Sequence, residues 1–155
     1  MSAGATSAGT LYLLDTNILV TYMRAAALGQ FIEATYRLMQ IPNVPLISVV
    51  SRGEMLAFAV VNGWGSLRKT ALMTLLNSLI TVDINHNTII DDYAEIDAFS
   101  RKSGHRMGKN DVWIAATAKA TQAKLLTTDQ DFDHLCPAHL IRDYIDPKTH
   151  QIMYG

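Results

Sequence analysis

The sequence of 155 residues contains a single cysteine, Cys136, so no disulfide framework can form within the chain. Cys136 is read as a small, semi-buried residue, and its solitude suits a reducing cytosol. No apolar run approaches the roughly 18 to 20 residues that a membrane-spanning helix needs. After Met1, residues 2–10 are Ser, Ala, Gly and Thr with neither a cationic start nor a long apolar core, so they lack the marks of a signal peptide. Together these absences predict a soluble, cytoplasmic protein. Charge of one sign is also missing, since thirteen basic and fourteen acidic side chains give a net charge of −1. Bulk charge therefore does not announce a nucleic-acid binder, and any such role must come from local clustering. No repeat, linker or low-complexity insert divides the chain. What is plentiful is apolar residues, 49% against 17% charged, enough for one domain with a proper core and suited to a partner-covered surface. The expected organisation is a flexible lead-in over 1–10, one domain over 11–146 and a polar tail over 147–155.

Leu11-Tyr12-Leu13-Leu14-Asp15-Thr16-Asn17 is an apolar run that ends on a carboxylate, the pattern of a short buried strand with its tip at a site. Thr16 and Asn17 suit the start of a helix over Ile18 to Met23. A second helical piece is expected over Phe31 to Gln40, stopped by Pro42 and Pro45. Leu46 to Val50 reads as a β-branched strand, after which Ser51 offers an N-cap with Glu54 at capping-box spacing. A helix then runs to about Val61 and breaks at Asn62-Gly63-Trp64-Gly65. Leu72, Leu75, Leu76 and Leu79 recur at helical spacing over Ser66 to Leu79, and Ile80 to Ile84 is the next strand. Ile89, Tyr93, Ile96 and Phe99 mark another helix, with Asp91, Asp92, Glu95 and Asp97 read as its solvated face. Asn110 is expected to cap a helix from Asp111 to about Thr121. Lys124 to Asp129 repeats the opening pattern, and Leu140 to Ile145 reads as a last strand. Strands separated by helices predict an α/β protein, a mostly parallel central sheet flanked by helices.

Two of these strands end in acids, Asp15 and Asp129, and two helices are expected to carry acids in their first turn, Glu54 and Asp111. In a parallel sheet with helical crossovers, strand ends and the helix starts that follow them share one edge. Each acid alone is better explained by cap or turn chemistry; all of them at strand tips and helix starts is the informative fact. Four carboxylates in one pocket repel one another unless some take up protons or a cation intervenes. An oxygen-rich donor set without Cys or His favours Mg²⁺ or Mn²⁺ over zinc.

In order and spacing, Leu14-Asp15-Thr16-Asn17, Ser48 to Glu54, Met107 to Ala118 and Leu125 to Phe132 resemble a PIN domain, and within that superfamily a VapC-like toxin ribonuclease. The most specific stretch is the Asp111 that opens an Ile-Ala-Ala-Thr-Ala helix. The resemblance implies a three-layer sandwich and assigns Asp15, Glu54, Asp111 and Asp129 as catalytic, metal-binding acids, with Asp131 the alternative to Asp129. Thr16, Asn17, Asn110 and Thr127 are the supporting polar residues. It further implies Mg²⁺- or Mn²⁺-dependent hydrolysis of RNA leaving a 3′-hydroxyl and a 5′-phosphate, a homodimer, and a cognate antitoxin whose C-terminal segment blocks the site.

Substrate contact requires local positive charge, and Arg101, Lys102, Arg106 and Lys109, with His105 among them, run directly into Asp111. The same cations also suit a helix C-terminus. His86, His134, His139 and His150 show no ligand spacing and are expected to be surface polar residues. An aspartate-nucleophile phosphatase needs a second Asp two positions after the first, where this chain has Asn17. Two alternatives stay open: a catalytically silent scaffold that binds RNA or a protein, and a nuclease acting on single-stranded DNA.

Overall fold

The computed structural model describes residues 9–40, 42 and 44–155; most of the expected lead-in lies outside the described residues. Six strands form one sheet in the order β3-β2-β1-β4-β5-β6. They are β1 (Tyr12–Leu14), β2 (Leu46–Ser48), β3 (Ile80–Val82), β4 (Lys124–Thr127), β5 (Arg142–Ile145) and β6 (Ile152–Tyr154). Every pairing is parallel except β5 with β6. Helices α1 (Thr16–Arg24), α2 (Ala27–Tyr36), α3 (Val49–Val61), α4 (Ser66–Asn77), α5 (Asn87–Lys102) and α6 (Lys109–Thr121) connect them, with a 3₁₀ helix over Gln130–Leu135.

Alternation along the strands splits the core in two. Tyr12 and Leu14 face one way and join Ile18, Leu19, Ile32, Met55, Leu72 and Leu76 from α1 to α4. Leu13 faces the other way and joins Ile89, Ile96, Val112, Ile114 and Phe132 from α5, α6 and the 3₁₀ helix. The sheet is thus sandwiched between two helical layers, as the sequence pattern predicted. Helix α6 is buried over most of its circumference, from Val112 to Ala118, and its alanines let it lie close to its neighbours. Gly29 performs a similar service between α1 and α2, because a Cβ there would stand 2.7 Å from the carbonyl oxygen of Thr21.

The connections leave β1 toward β2 and β3 on one side, and β4 and β5 lie on the other. The crevice at the carboxyl ends of β1 and β4 is therefore the point where strand order reverses, the usual ligand position in open parallel sheets. Asp15 follows β1 there, its N–H donating to Leu126 O at 3.0 Å and continuing the ladder with β4.

Several local expectations are corrected. The second helix ends at Tyr36, before either proline, because Arg37 takes a left-handed conformation at φ 52°. Val49 and Val50 belong to α3 and not to the strand; its N-cap is Ser48, whose side chain accepts from Val50 N, so Ser51 lies inside the helix. Glu54 is consequently in the second turn and forms no capping box. The cap of α6 is Gly108, not Asn110. Within the segment expected as a polar tail, Ile152 to Tyr154 form β6, antiparallel to β5. Arg142 secures it: Nη1 donates to the carbonyls of Met153 (3.2 Å) and Gly155 (3.0 Å), while Nη2 meets Asp133 at 2.9 Å.

Candidate active site

Asp15 is 3% exposed and is the N-cap of α1. Its Oδ1 accepts from Thr16 N and its Oδ2 from Thr127 Oγ1, both at 2.7 Å. Thr127, fully buried at the end of β4, also accepts from Asp129 N at 2.9 Å, so one hydroxyl ties the first acid to the loop of the fourth. Asp129 in turn caps the 3₁₀ helix by accepting from Asp131 N at 2.9 Å.

Glu54 reaches this group from α3 across the sheet edge. Thr16 Oγ1 donates to Glu54 Oε1 at 2.7 Å, and Asn110 Nδ2 donates to Oε2 at 3.2 Å. Each oxygen of Glu54 is thus held from a different helix. Ser51, one turn before Glu54 and fully buried, lies 2.9 Å from Thr16 Oγ1. The sequence reading had given Ser51 only a cap role; its spacing of three before Glu54 on one helix face was the available signal. Asn17 is exposed in the first turn of α1.

Asp111, in the first turn of α6, projects into the same space. Carboxylate oxygens of Asp111, Asp129 and Asp131 lie within 4.8 Å of one another. The structure therefore brings Asp131 as well as Asp129 beside Asp111. The electrostatic cost is visible in the acids themselves. Burial, and after it the charges of Asp15, Asp129, Glu54 and Asp131, push the Asp111 carboxyl up to about 7. Burial raises Asp15 to about 6 despite the bonds from Thr127 and Thr16 that oppose the rise. A cavity of about 360 Å³ opens over Glu54, Lys109, Asn110 and Asp111.

This donor set suits a hard divalent cation: it is all carboxylate oxygen, clustered, and short of neutralising charge. An ion there would offset the repulsion that adds to burial in raising Asp15 and Asp111.

The basic stretch is divided. Arg101 Nε pairs with Asp97 at 2.9 Å on an exposed part of α5, and Lys102 occupies the last turn of the same helix. Arg106 is exposed in the loop before α6. Lys109 alone of the four lines the cavity with Glu54 and Asp111. The larger cavities lie elsewhere; one of about 850 Å³ runs between α1 and α2 and touches none of the acids.

A parallel α/β sandwich with acids gathered at its switch point has the architecture of a carboxylate-centred metal site. Residues 12–136 match the family model described as "PIN domain", and the chain belongs to that family. No curated protein matches it in sequence. Its fold is shared with a chain of VapBC2 from Rickettsia felis, solved bound to a DNA fragment from their promoter. That likeness has a TM-score of 0.73 and 23% identity over 87% of this chain and 98% of the other. VapBC-1 from nontypeable Haemophilus influenzae gives 0.72 and 22%, over 87% and 98%. VapBC-5 from Mycobacterium tuberculosis, a member of a toxin–antitoxin family, gives 0.63 and 23%, over 84% and 94%.

Proposed function

We propose that the protein is a divalent-metal-dependent endoribonuclease that hydrolyses RNA phosphodiester bonds at the acidic pocket, and that it is the toxin of a toxin–antitoxin pair. The observation that carries this reading is the gathering of carboxylates at the ends of β1 and β4, where oxygens of Asp111, Asp129 and Asp131 lie within 4.8 Å of one another and where burial first, and the neighbouring acids after it, raise Asp15 to about 6 and Asp111 to about 7. Asp15, Glu54, Asp111 and Asp129 would hold Mg²⁺ or Mn²⁺, with Asp131 as the alternative or additional acid. Such an ion supplies Lewis acidity toward a phosphate oxygen and a lowered pKa for attacking water.

The chain's own contribution is orientation. Thr16 and Asn110 fix the two oxygens of Glu54, and Thr127 fixes Asp15 while holding the backbone of Asp129. Lys109 at the cavity rim is placed to meet a phosphate, with Lys102 and Arg106 along the approaching strand. Arg101 joins them by exchanging Asp97, a partner on an exposed face that contributes little. No side chain need act as a nucleophile.

RNA as substrate rests on the likeness to VapC-type members of the family. The antitoxin rests on structural neighbours whose names carry VapBC and toxin–antitoxin. A homodimer is proposed on the same footing. No helix among the described residues is long and apolar enough to cross a membrane, in keeping with a cytoplasmic site of action.

The test is cleavage of a mixed RNA pool, with single-stranded DNA in parallel, in Mg²⁺, Mn²⁺ or EDTA, by wild type and Asp111→Asn. Metal-dependent cutting that is lost in the variant is expected. Cutting that persists in EDTA or in the variant refutes the mechanism. Binding without cutting in either metal would favour a silent scaffold, and cutting of DNA alone would replace RNA as the substrate.

A further inference from the structure

Three rings stand in register beside the acidic pocket. Phe99 of α5 lies parallel to His134 at 7° with centroids 6.3 Å apart, and His134 lies parallel to His105 at 8° and 4.1 Å. The inner ring packs against the core and the outer one, His105, is exposed. The middle ring is pinned on its edges: His134 Nε2 lies 2.8 Å from the buried Ser100 Oγ, and a backbone hydrogen bond links the ring to Asp131. The Ser100 hydroxyl also lies 3.3 Å from Met107 Sδ, so it ties the loop before α6 to the middle ring.

The outer ring faces useful surroundings. His105 lines a cavity of about 580 Å³ together with Arg101, Arg106, Met107 and Asp97, the exposed partner that Arg101 exchanges for a phosphate. The loop from His105 to Gly108 runs straight into α6 and Asp111, while His134 sits one turn beyond Asp131. The stack therefore bridges the two segments that bring acids to the pocket. Stacking on flat side chains flanked by cations is how single-stranded nucleic acids are held without reading sequence.

We propose that His105, backed by His134 and Phe99, is a platform on which an unpaired nucleobase of the substrate stacks beside the cleavage site, its flanking phosphates meeting Arg101 and Arg106. The proposal rests on the nucleic-acid reading above but not on catalysis, so binding tests it separately. A short single-stranded RNA carrying one fluorescent 2-aminopurine is titrated onto wild type, His105→Ala and His105→Phe in EDTA, with a matching single-stranded DNA and an RNA carrying an abasic position as further probes. Wild type is expected to quench the fluorophore, and His105→Ala to weaken binding about tenfold. His105→Phe should retain most of the affinity, because a flat ring suffices where a cation would not. The abasic RNA should lose the dependence on residue 105 at one position of the strand, and DNA should show the same dependence as RNA. Equal binding by wild type and His105→Ala overturns the platform even if RNA is cut. A Phe variant as weak as Ala shows that charge and not stacking is used, and also overturns it. Quenching that depends on His105 without cleavage upholds the platform while the nuclease reading fails.

Discussion

Replacing Asp111 by Asn should stabilise the metal-free protein, and the gain should depend on pH in a way that locates its cause. In the folded chain Asp111 is raised from the ordinary 3.8 to about 7, chiefly by burial and then by Asp15, Asp129, Glu54 and Asp131. The folded state thus holds a proton that the unfolded chain has released between these values, and linkage makes stability fall as pH rises through that interval. Below about pH 4 both states are protonated and the penalty vanishes; above about pH 7 both are ionised and the penalty is complete. At about 1.4 kcal/mol per pH unit the full span corresponds to about 4 kcal/mol. Asp111 is only part-buried, and solvent screening reduces this to about 1–2 kcal/mol. Asn keeps the shape and removes the charge, so its Tm in EDTA at pH 8 should exceed that of wild type by about 5 °C. Thermal melts of both proteins in EDTA from pH 4 to 8.5 provide the measurement. Added Mg²⁺ or Mn²⁺ should then raise the wild-type Tm more than the variant's. A variant less stable than wild type at pH 8, or a difference that does not change with pH, would refute the crowding on which the site rests.

Thr127→Val should leave Asp15 Oδ2 without its donor and Asp129 N without its acceptor, costing about 1–3 kcal/mol in urea denaturation. The same change should move the Asp15 titration above about 6, read by carboxyl-carbon NMR, because Thr127 is the strongest influence opposing burial there. Gly29→Ala drives a Cβ to 2.7 Å from the Thr21 carbonyl and should cost about 1–3 kcal/mol by the same denaturation, as α1 and α2 part. Arg142→Met should speed hydrogen exchange at Ile152 to Tyr154 while leaving β1 and β4 protected; equal protection of β6 would show that Arg142 does not hold that strand.

The strand tips were legible because buried parallel strands are continuous apolar runs, and Leu14-Asp15 and Leu126-Thr127 mark where each run meets polar chain. Asp111 was legible because an alanine-rich stretch follows it at helical period. Glu54 comes beside the other acids by a route the sequence did not show: Val49 and Val50 have strand propensity, so the sequence favoured a later cap and a first-turn acid. Packing overrides that propensity, starts α3 at Val49, and delivers Glu54 through Thr16 and Asn110 instead. Asn110 reads as a cap because its side chain is a good one, but its amide is committed to Glu54. Strand β6 was hidden because three residues after a polar turn carry no periodic signal, and its hold comes from Arg142 on another strand. The ring stack was equally invisible, since Phe99, His105 and His134 share no sequence spacing.

The pocket's acids are scattered along the chain, from Asp15 to Asp131, and no piece shorter than residues 15–131 contains them all. A growing polypeptide therefore carries the first carboxylate long before the last exists. Translation at about 5–20 residues per second separates Asp15 from Asp131 by roughly ten seconds. During that interval β1 lacks β4 as a neighbour, and Asp15 lacks the Thr127 hydroxyl that holds it. The group of acids is incomplete until β4 pairs with β1 and the segment carrying Asp129 and Asp131 follows it. On the proposed ribonuclease reading, the order of synthesis delays the catalytic pocket until β4 and the segment after it have been made.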